Sequence, residues 1–214
     1  MKHIALLTTL LLSASLQAVE KPYDYVFFEN SLMKGDYFYS QAKYTSPSWI
    51  KNARHHLPVA GSVAFTPGNS LELTYVSAPG GDWYSEIQYC PVRGNDFFRE
   101  PSTLSMQVRL RESMNAAALP NIAIRYADST YTQYLNLRNY LKDTRPGVWH
   151  PVSIPLEDFG LNAVNDTNIK KLAAVALRPG TADGNEYTIY LDDIELLPAS
   201  LPSVSALNLS LIHI

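Results

Sequence analysis

Several segments of the chain alternate polar or aromatic side chains with apolar ones, and these polar and aromatic side chains are the first candidates for ligand binding. They are Arg109, Arg125, Tyr134, Asn136 and Arg138. Planar amide and guanidinium groups beside a tyrosine ring suit a sugar, because hydroxyl groups accept paired hydrogen bonds and the C–H face of a sugar stacks on aromatic rings. The sequence therefore predicts that these side chains share one sugar-binding sheet face. An ordinary solvated face is the alternative.

A loop tip is a second candidate for the binding site. Trp83 and Tyr84 directly follow the turn-forming residues 78–82, and Trp49 lies in another candidate loop. Exposed loops carried by a rigid scaffold often bind ligands. The sheet face and the loop tip are therefore two competing predictions.

Residues that would indicate catalysis are sparse. The carboxylates show no spacing that implies a paired acid and base, and the chain has neither a glycine-rich phosphate loop nor a nucleophile elbow. His55 and His56 are adjacent, so they usually point in different directions, and no third metal ligand accompanies them. The sequence predicts a binding domain rather than an enzyme.

The elements that would position these residues are short β-strands. Leu104, Met106, Val108 and Leu110 alternate with polar residues, which is the period of a strand with one buried face. The runs 71–76 and 83–89 predict a hairpin, 122–126 and 131–137 predict another, and further strands are expected at 148–156, 172–177 and 187–196. Brief helical turns are expected only at 157–159 and near 164–170. This pattern predicts an all-β fold with antiparallel sheets, either a sandwich or a barrel.

The first residues predict export. Lys2 and His3 precede the apolar run Ile4–Leu16, and the small Ala18 comes before a polar segment. This is the pattern of a secretory signal peptide, predicted at 1–18, and the run is shorter than the roughly 18 residues of a membrane span. The expected location is periplasmic or extracellular, with no membrane span after cleavage.

Charge and cysteine content narrow the possible partners. After cleavage the chain has 16 basic and 20 acidic residues, a net charge of −4, because Lys2 is lost from the 17 basic residues. This weak acidic balance argues against a nucleic-acid partner. Cys90 is the one cysteine in the chain and is expected to be a small buried residue.

Three segments together resemble a known family. They are Phe27-Phe28-Glu29, the stretch from Gly147-Val148-Trp149 to Phe159, and Tyr187–Leu196, in this order. They resemble the galactose-binding-like jelly rolls that serve as carbohydrate-binding modules in bacterial secreted glycan-degrading proteins, over roughly residues 23–198. The resemblance implies a β-sandwich jelly roll that binds polysaccharide or oligosaccharide without catalysis.

Two adjacent carboxylates lie in the last of these segments. Ile189, Leu191, Ile194 and Leu196 do not keep one parity, and a β-bulge at Asp192-Asp193 is the simplest way to turn all four inward. Carboxylates near a core need a cation or hydrogen-bond donors. The resembled family often holds calcium between its first and last strands, which implies a structural Ca²⁺ bound by Glu29 with Asp193 or Asp192. Acids that face solvent or pair with basic residues are the alternative.

The end of the chain differs in composition from the rest. Residues 19–198 are expected to form one domain, and 199–208 a linker to a missing downstream domain, most plausibly a glycoside hydrolase. The hexapeptide 209–214 matches a translated sequencing adaptor and is expected to be an artefact. The predicted function is a non-catalytic carbohydrate-binding domain that targets such a hydrolase to polysaccharide. The alternative is a structural or protein-interaction spacer of an envelope protein.

Overall fold

The computed structural model describes residues 25–89, 101–161 and 171–198, and these residues form two antiparallel β-sheets. The predicted signal peptide, Cys90, the segment near 164–170 and the tail after 198 lie outside the described residues. The strands are β1 (Val26–Phe28), β2 (Asp36–Tyr37), β3 (Ser40–Thr45), β4 (Trp49–Ile50), β5 (Leu57–Ala60), β6 (Ser70–Val76), β7 (Asp82–Gln88), β8 (Pro101–Leu110), β9 (Asn121–Tyr126), β10 (Leu135–Asn136), β11 (Trp149–Pro155), β12 (Leu172–Arg178) and β13 (Glu186–Pro198). Short 3-10 helices span Ala116–Ala118, Leu137–Asn139 and Leu156–Phe159.

The larger sheet has the strand order β11-β8-β13-β6-β5-β2, with β1 added on β13 and β4 on β6. The smaller sheet has the order β10-β9-β12-β7-β3. The predicted all-β sandwich of antiparallel sheets is therefore confirmed. Among the described residues no helix is long and apolar enough to cross a membrane.

The core lies between the two sheets and follows the alternation in the sequence. Leu104, Met106, Val108 and Leu110 of β8 are at most 1% exposed. Ile122 and Ile124 of β9, together with Val175 and Leu177 of β12, belong to the same buried cluster from the smaller sheet. The polar residues between these positions consequently face away from the core, on the outer side of each sheet.

The predicted bulge in the last strand is present. The pairing of β13 with β8 shifts register between Asp192 and Glu195, and Asp193 has a φ of 47°. Because the extra residue reverses the parity, all four apolar residues around the bulge are buried: Ile189, Leu191, Ile194 and Leu196.

The predicted hairpin between 71–76 and 83–89 is wrong. β6 belongs to the larger sheet and β7 to the smaller one, so the connection crosses from one layer to the other. It passes close to the backbone of β3 and the following turn, since a Cβ on Gly81 would lie 2.2 Å from the amide nitrogen of Ser48. A turn-rich connection of this length suits a crossing between layers as well as a hairpin. The second predicted hairpin is confirmed in shorter form, because β10 pairs with β9.

Candidate functional site

The five residues predicted to share one face lie on different sheets. Arg109 is on β8 of the larger sheet, whereas Arg125 is on β9 of the smaller sheet. Strand parity correctly predicted that both point away from the core. It could not show which sheet each strand joins, so the prediction of a single face is wrong.

Asn136 and Arg138 have other roles than the predicted one. The side chain of Asn136 donates to the carbonyl of Leu119 at 3.1 Å and to Oδ1 of Asn121 at 3.0 Å, and it accepts from the amide of Arg138 at 3.0 Å. It is therefore used to start a 3-10 helix and to hold β10 against β9. Arg138 lies within that helix and is exposed, so it does not continue the strand face as predicted.

The loop-tip site is also wrong for Trp83. This side chain is only 1% exposed, its ring centroid lies 4.8 Å from that of Tyr75, and its Nε1 donates to Oγ of Ser77 at 3.0 Å. A ring buried in this way cannot stack on a ligand. Tyr84, the next residue, points to the outer side of the smaller sheet.

The outer side of the smaller sheet carries a connected group of side chains, which we call the tyrosine face. An exposed pair of rings forms its most prominent part: Tyr131 and Tyr134 are 38% and 36% exposed, and their centroids are 6.0 Å apart at 29°. The members of the tyrosine face are Tyr84, Glu86, Arg125, Tyr131, Tyr134 and Arg178.

A buried ion pair lies beneath these rings. Nε of Arg125 is 3.0 Å from Oε1 of Glu86, and the hydroxyl of Tyr131 donates to the same oxygen at 2.7 Å. The Glu86 side chain is only 6% exposed and that of Arg125 15%. Burial, followed by the hydrogen bond to Glu86, raises the pKa of Tyr131 to about 12. The hydroxyl is protonated at neutral pH and donates this hydrogen bond.

Small residues on the central strand make this arrangement possible. β12 separates β9 from β7, yet Arg125 of β9 reaches Glu86 of β7. The outward residues of β12 beside them are Ala174, paired with Arg125, and Ala176, paired with Glu86. A larger side chain at either position would occupy the space through which the two long side chains meet. Neither alanine was predicted from the sequence, although their alternation with Val175 and Leu177 was a signal.

Arg178, at the end of β12, connects the two sides of the tyrosine face. Its Nη1 lies 2.9 Å from Oδ2 of Asp82, and its Nε donates to the hydroxyl of Tyr134 at 3.1 Å. The guanidinium carbon lies 5.9 Å from the Tyr84 ring centroid and 5.8 Å from that of Tyr134, within cation–π range. Arg178 therefore orients the two rings and neutralises Asp82. No sequence pattern had singled it out.

The predicted calcium ligands have mixed surroundings. Asp192 is fully buried, and its carboxylate accepts from the amides of Phe65 at 2.8 Å, Thr66 at 3.3 Å and Asp193 at 2.9 Å. These amides supply the donors that a buried carboxylate needs, so Asp192 requires no cation. Burial raises the pKa of Asp192 to about 6.

Asp193 and Glu29 lie at the β-bulge, and Oδ1 of Asp193 accepts from the hydroxyl of Thr66 at 3.1 Å. Glu29 directly follows Phe28, which pairs with Ile194, so Glu29 lies beside the bulge that carries Asp193. Oδ1 of the neighbouring Asn30 is buried without a hydrogen-bond partner. Within the described ranges no group of three His, Cys, Asp or Glu residues could hold a metal ion. Calcium binding stays a prediction.

Solved structures of similar fold are carbohydrate-binding modules. The family 30 module of a cellulosomal cellulase of Clostridium thermocellum has a TM-score of 0.58 and 16% identity, over 83% of this chain and 99% of that chain. The family 11 module of the same organism, in complex with a β-1,3-1,4-mixed-linked tetrasaccharide, has a TM-score of 0.51 and 13% identity, over 76% and 91%. These likenesses show the fold. The family model for carbohydrate binding domain 30 matches residues 24–197, and the chain therefore belongs to this family of carbohydrate-binding domains.

Proposed function

We propose that the tyrosine face binds a neutral β-glucan chain. The exposed pair of Tyr131 and Tyr134 carries the proposal, because two nearly parallel rings offer an apolar platform on which sugar rings stack. One similar module belongs to a cellulase and another is in complex with a β-1,3-1,4-mixed-linked tetrasaccharide, and this supports a β-glucan over other polysaccharides.

The charges of the tyrosine face also favour a neutral ligand. Glu86 is paired with Arg125, and Asp82 with Arg178, so neither carboxylate is left without a cation. An anionic glycan would have to compete with these carboxylates for the guanidinium groups. A neutral chain can accept hydrogen bonds from the outer N–H groups while the ion pairs stay intact.

We infer that the domain is exported and that it holds a glycoside hydrolase of the same protein near its polysaccharide. A binding domain raises the local concentration of substrate for a linked partner without new contacts at the catalytic site. The family membership and the signal-like first residues support this arrangement.

Affinity electrophoresis in gels that contain mixed-linkage β-glucan, followed by titration calorimetry, tests the site. Tyr134→Ala should weaken binding about fivefold, because a lost stacking contact costs about 1 kcal/mol. Tyr44→Ala is the matched control: Tyr44 is 52% exposed on β3 of the same sheet, but it pairs with the inward Trp83 and so lies on the other side. Equal mobility of both variants and the unmodified protein would place the site elsewhere. Failure of the unmodified protein to bind mixed-linkage β-glucan would contradict the proposed ligand, and failure to bind any glycan, including those of plant, algal and host origin, would favour the spacer function.

A further inference from the structure

A row of four long side chains lies on the outer side of the larger sheet, whereas the tyrosine face lies on the smaller sheet. Trp149 of β11 pairs with Arg109 of β8, Arg109 with Tyr190 of β13, and Tyr190 with Glu72 of β6. The residues next to them along each strand, such as Val108 and Leu110, are buried. All four side chains therefore point outward in one line across the strands.

The spacing of the row suits linked sugar rings. Neighbouring strands lie about 4.8 Å apart, so Trp149 and Tyr190, two strands apart, are separated by about 10 Å. This is close to the length of two linked hexose rings. Two aromatic side chains at this interval can each contact alternate sugars of an extended chain.

Arg109 lies between the two aromatic residues and is free to bind. Among the residues that the structure describes, no hydrogen bond or ion pair engages its guanidinium, unlike those of Arg125 and Arg178. A guanidinium has five N–H donors in a fixed plane, which suits paired hydroxyl groups. At the end of the row, Glu72 adds a carboxylate acceptor held 2.6 Å from Nζ of Lys51.

Phe65 extends this surface beyond Trp149. It is 49% exposed, and its ring centroid lies 6.0 Å from that of Trp149 at 69°. The buried carboxylate of Asp192 holds its backbone amide at 2.8 Å, so the loop that presents Phe65 is anchored to β13. An exposed aromatic ring fixed in this way is preorganised for contact with a ligand.

We propose that Trp149, Arg109, Tyr190 and Glu72, with Phe65 at the end, form a second glycan-binding face, which we call the arginine row. Its ligand is a neutral polysaccharide chain lying across the strands. The alternation of rings with hydrogen-bonding groups fits a sugar chain, whereas a protein interface is more apolar at its centre. Because the two faces are on opposite sheets, one domain can hold two polysaccharide chains, and binding to a dense polysaccharide gains from both.

Titration calorimetry and affinity electrophoresis with mixed-linkage β-glucan and with hydroxyethyl cellulose test the arginine row. Four proteins are compared: the unmodified chain, Tyr131→Ala/Tyr134→Ala, Arg109→Ala/Tyr190→Ala, and the combination of all four changes. Phe38→Ala is the control, since Phe38 is 61% exposed but belongs to neither face. Circular dichroism melts establish that each variant is folded, and Arg109→Gln replaces the double variant if that one is unfolded.

We expect the arginine-row variant to bind about tenfold more weakly than the unmodified chain, the tyrosine-face variant to keep measurable affinity, and the combined variant to bind neither glucan. Unchanged binding by the arginine-row variant overturns the proposal. If the tyrosine-face variant binds normally while the arginine-row variant does not bind, the arginine row stands and the proposed tyrosine face fails. A concentration-dependent dimer in sedimentation that only the arginine-row changes abolish would instead assign the row to a contact between copies and overturn the proposal. Absence of binding by the unmodified chain overturns both.

Discussion

Arg125→Ala is expected to destabilise the domain rather than only weaken a ligand contact. The substitution leaves the Glu86 carboxylate, whose side chain is 6% exposed, without the guanidinium that lies 3.0 Å away. Removing one partner of a buried ion pair costs about 3 to 5 kcal/mol, because the remaining charge is left uncompensated. For a domain of this size, a loss of 3 kcal/mol lowers the melting temperature by roughly 6 to 12 °C.

Urea denaturation followed by tryptophan fluorescence measures this loss. The double variant Glu86→Gln/Arg125→Met removes both charges and should recover most of the stability, since replacing a buried ion pair by neutral side chains is often nearly neutral. A loss below about 1 kcal/mol for Arg125→Ala would show that the pair behaves as an exposed one. That result would refute the inference that the Glu86–Arg125 pair is buried and holds the hydroxyl of Tyr131 in place.

Three further predictions concern the core and the bulge. Trp83→Ala should lower the free energy of unfolding by about 3 to 5 kcal/mol in urea denaturation, as expected for a large buried side chain. A loss below about 1 kcal/mol would contradict the burial of Trp83. With chelator present, the unmodified protein should lose about 2 kcal/mol relative to Asp192→Asn as the pH rises from about 4 to 6. Burial raises the pKa of Asp192 to about 6, and a raised pKa stabilises the folded protein only while the carboxyl is protonated. A pH dependence shared by both proteins would contradict this origin. If Glu29 and Asp193 bind calcium, chelation should lower the melting temperature by several degrees, and Asp193→Asn should abolish the effect. An unchanged melt with no metal by elemental analysis would remove the site.

The fold could be predicted largely from local patterns. The period-two alternation at Leu104–Leu110 placed a buried face correctly, and the broken parity around Asp192 predicted the bulge that the structure contains. Both inferences depend only on residues within one strand. They succeed because side-chain direction along a strand alternates with a fixed period.

Arrangements that involve more than one strand could not be predicted in this way. Parity indicates that Arg109 and Arg125 point outward, but not that they lie on opposite sheets. The turn-rich residues 78–81 are compatible with a hairpin and with a crossing between layers, and the sequence contains no signal that separates the two. The error at Trp83 was avoidable, because Trp83 has the parity of Ile87, whose side chain is in the core.

The tyrosine face depends most on residues that carry no functional group. Ala123 of β9 and Ala174 and Ala176 of the central strand β12 point outward, yet they are at most 2% exposed, because larger side chains cross above them. Contacts across β12, such as that of the Tyr131 hydroxyl with Glu86, are possible only because the intervening side chains are small. Substitution of Ala176 by a larger residue such as leucine would force the Glu86–Arg125 pair apart and lift Tyr131 from its hydrogen bond. Alanines at the outward-facing positions of a central strand therefore indicate a site of this kind more directly than its aromatic and charged residues do.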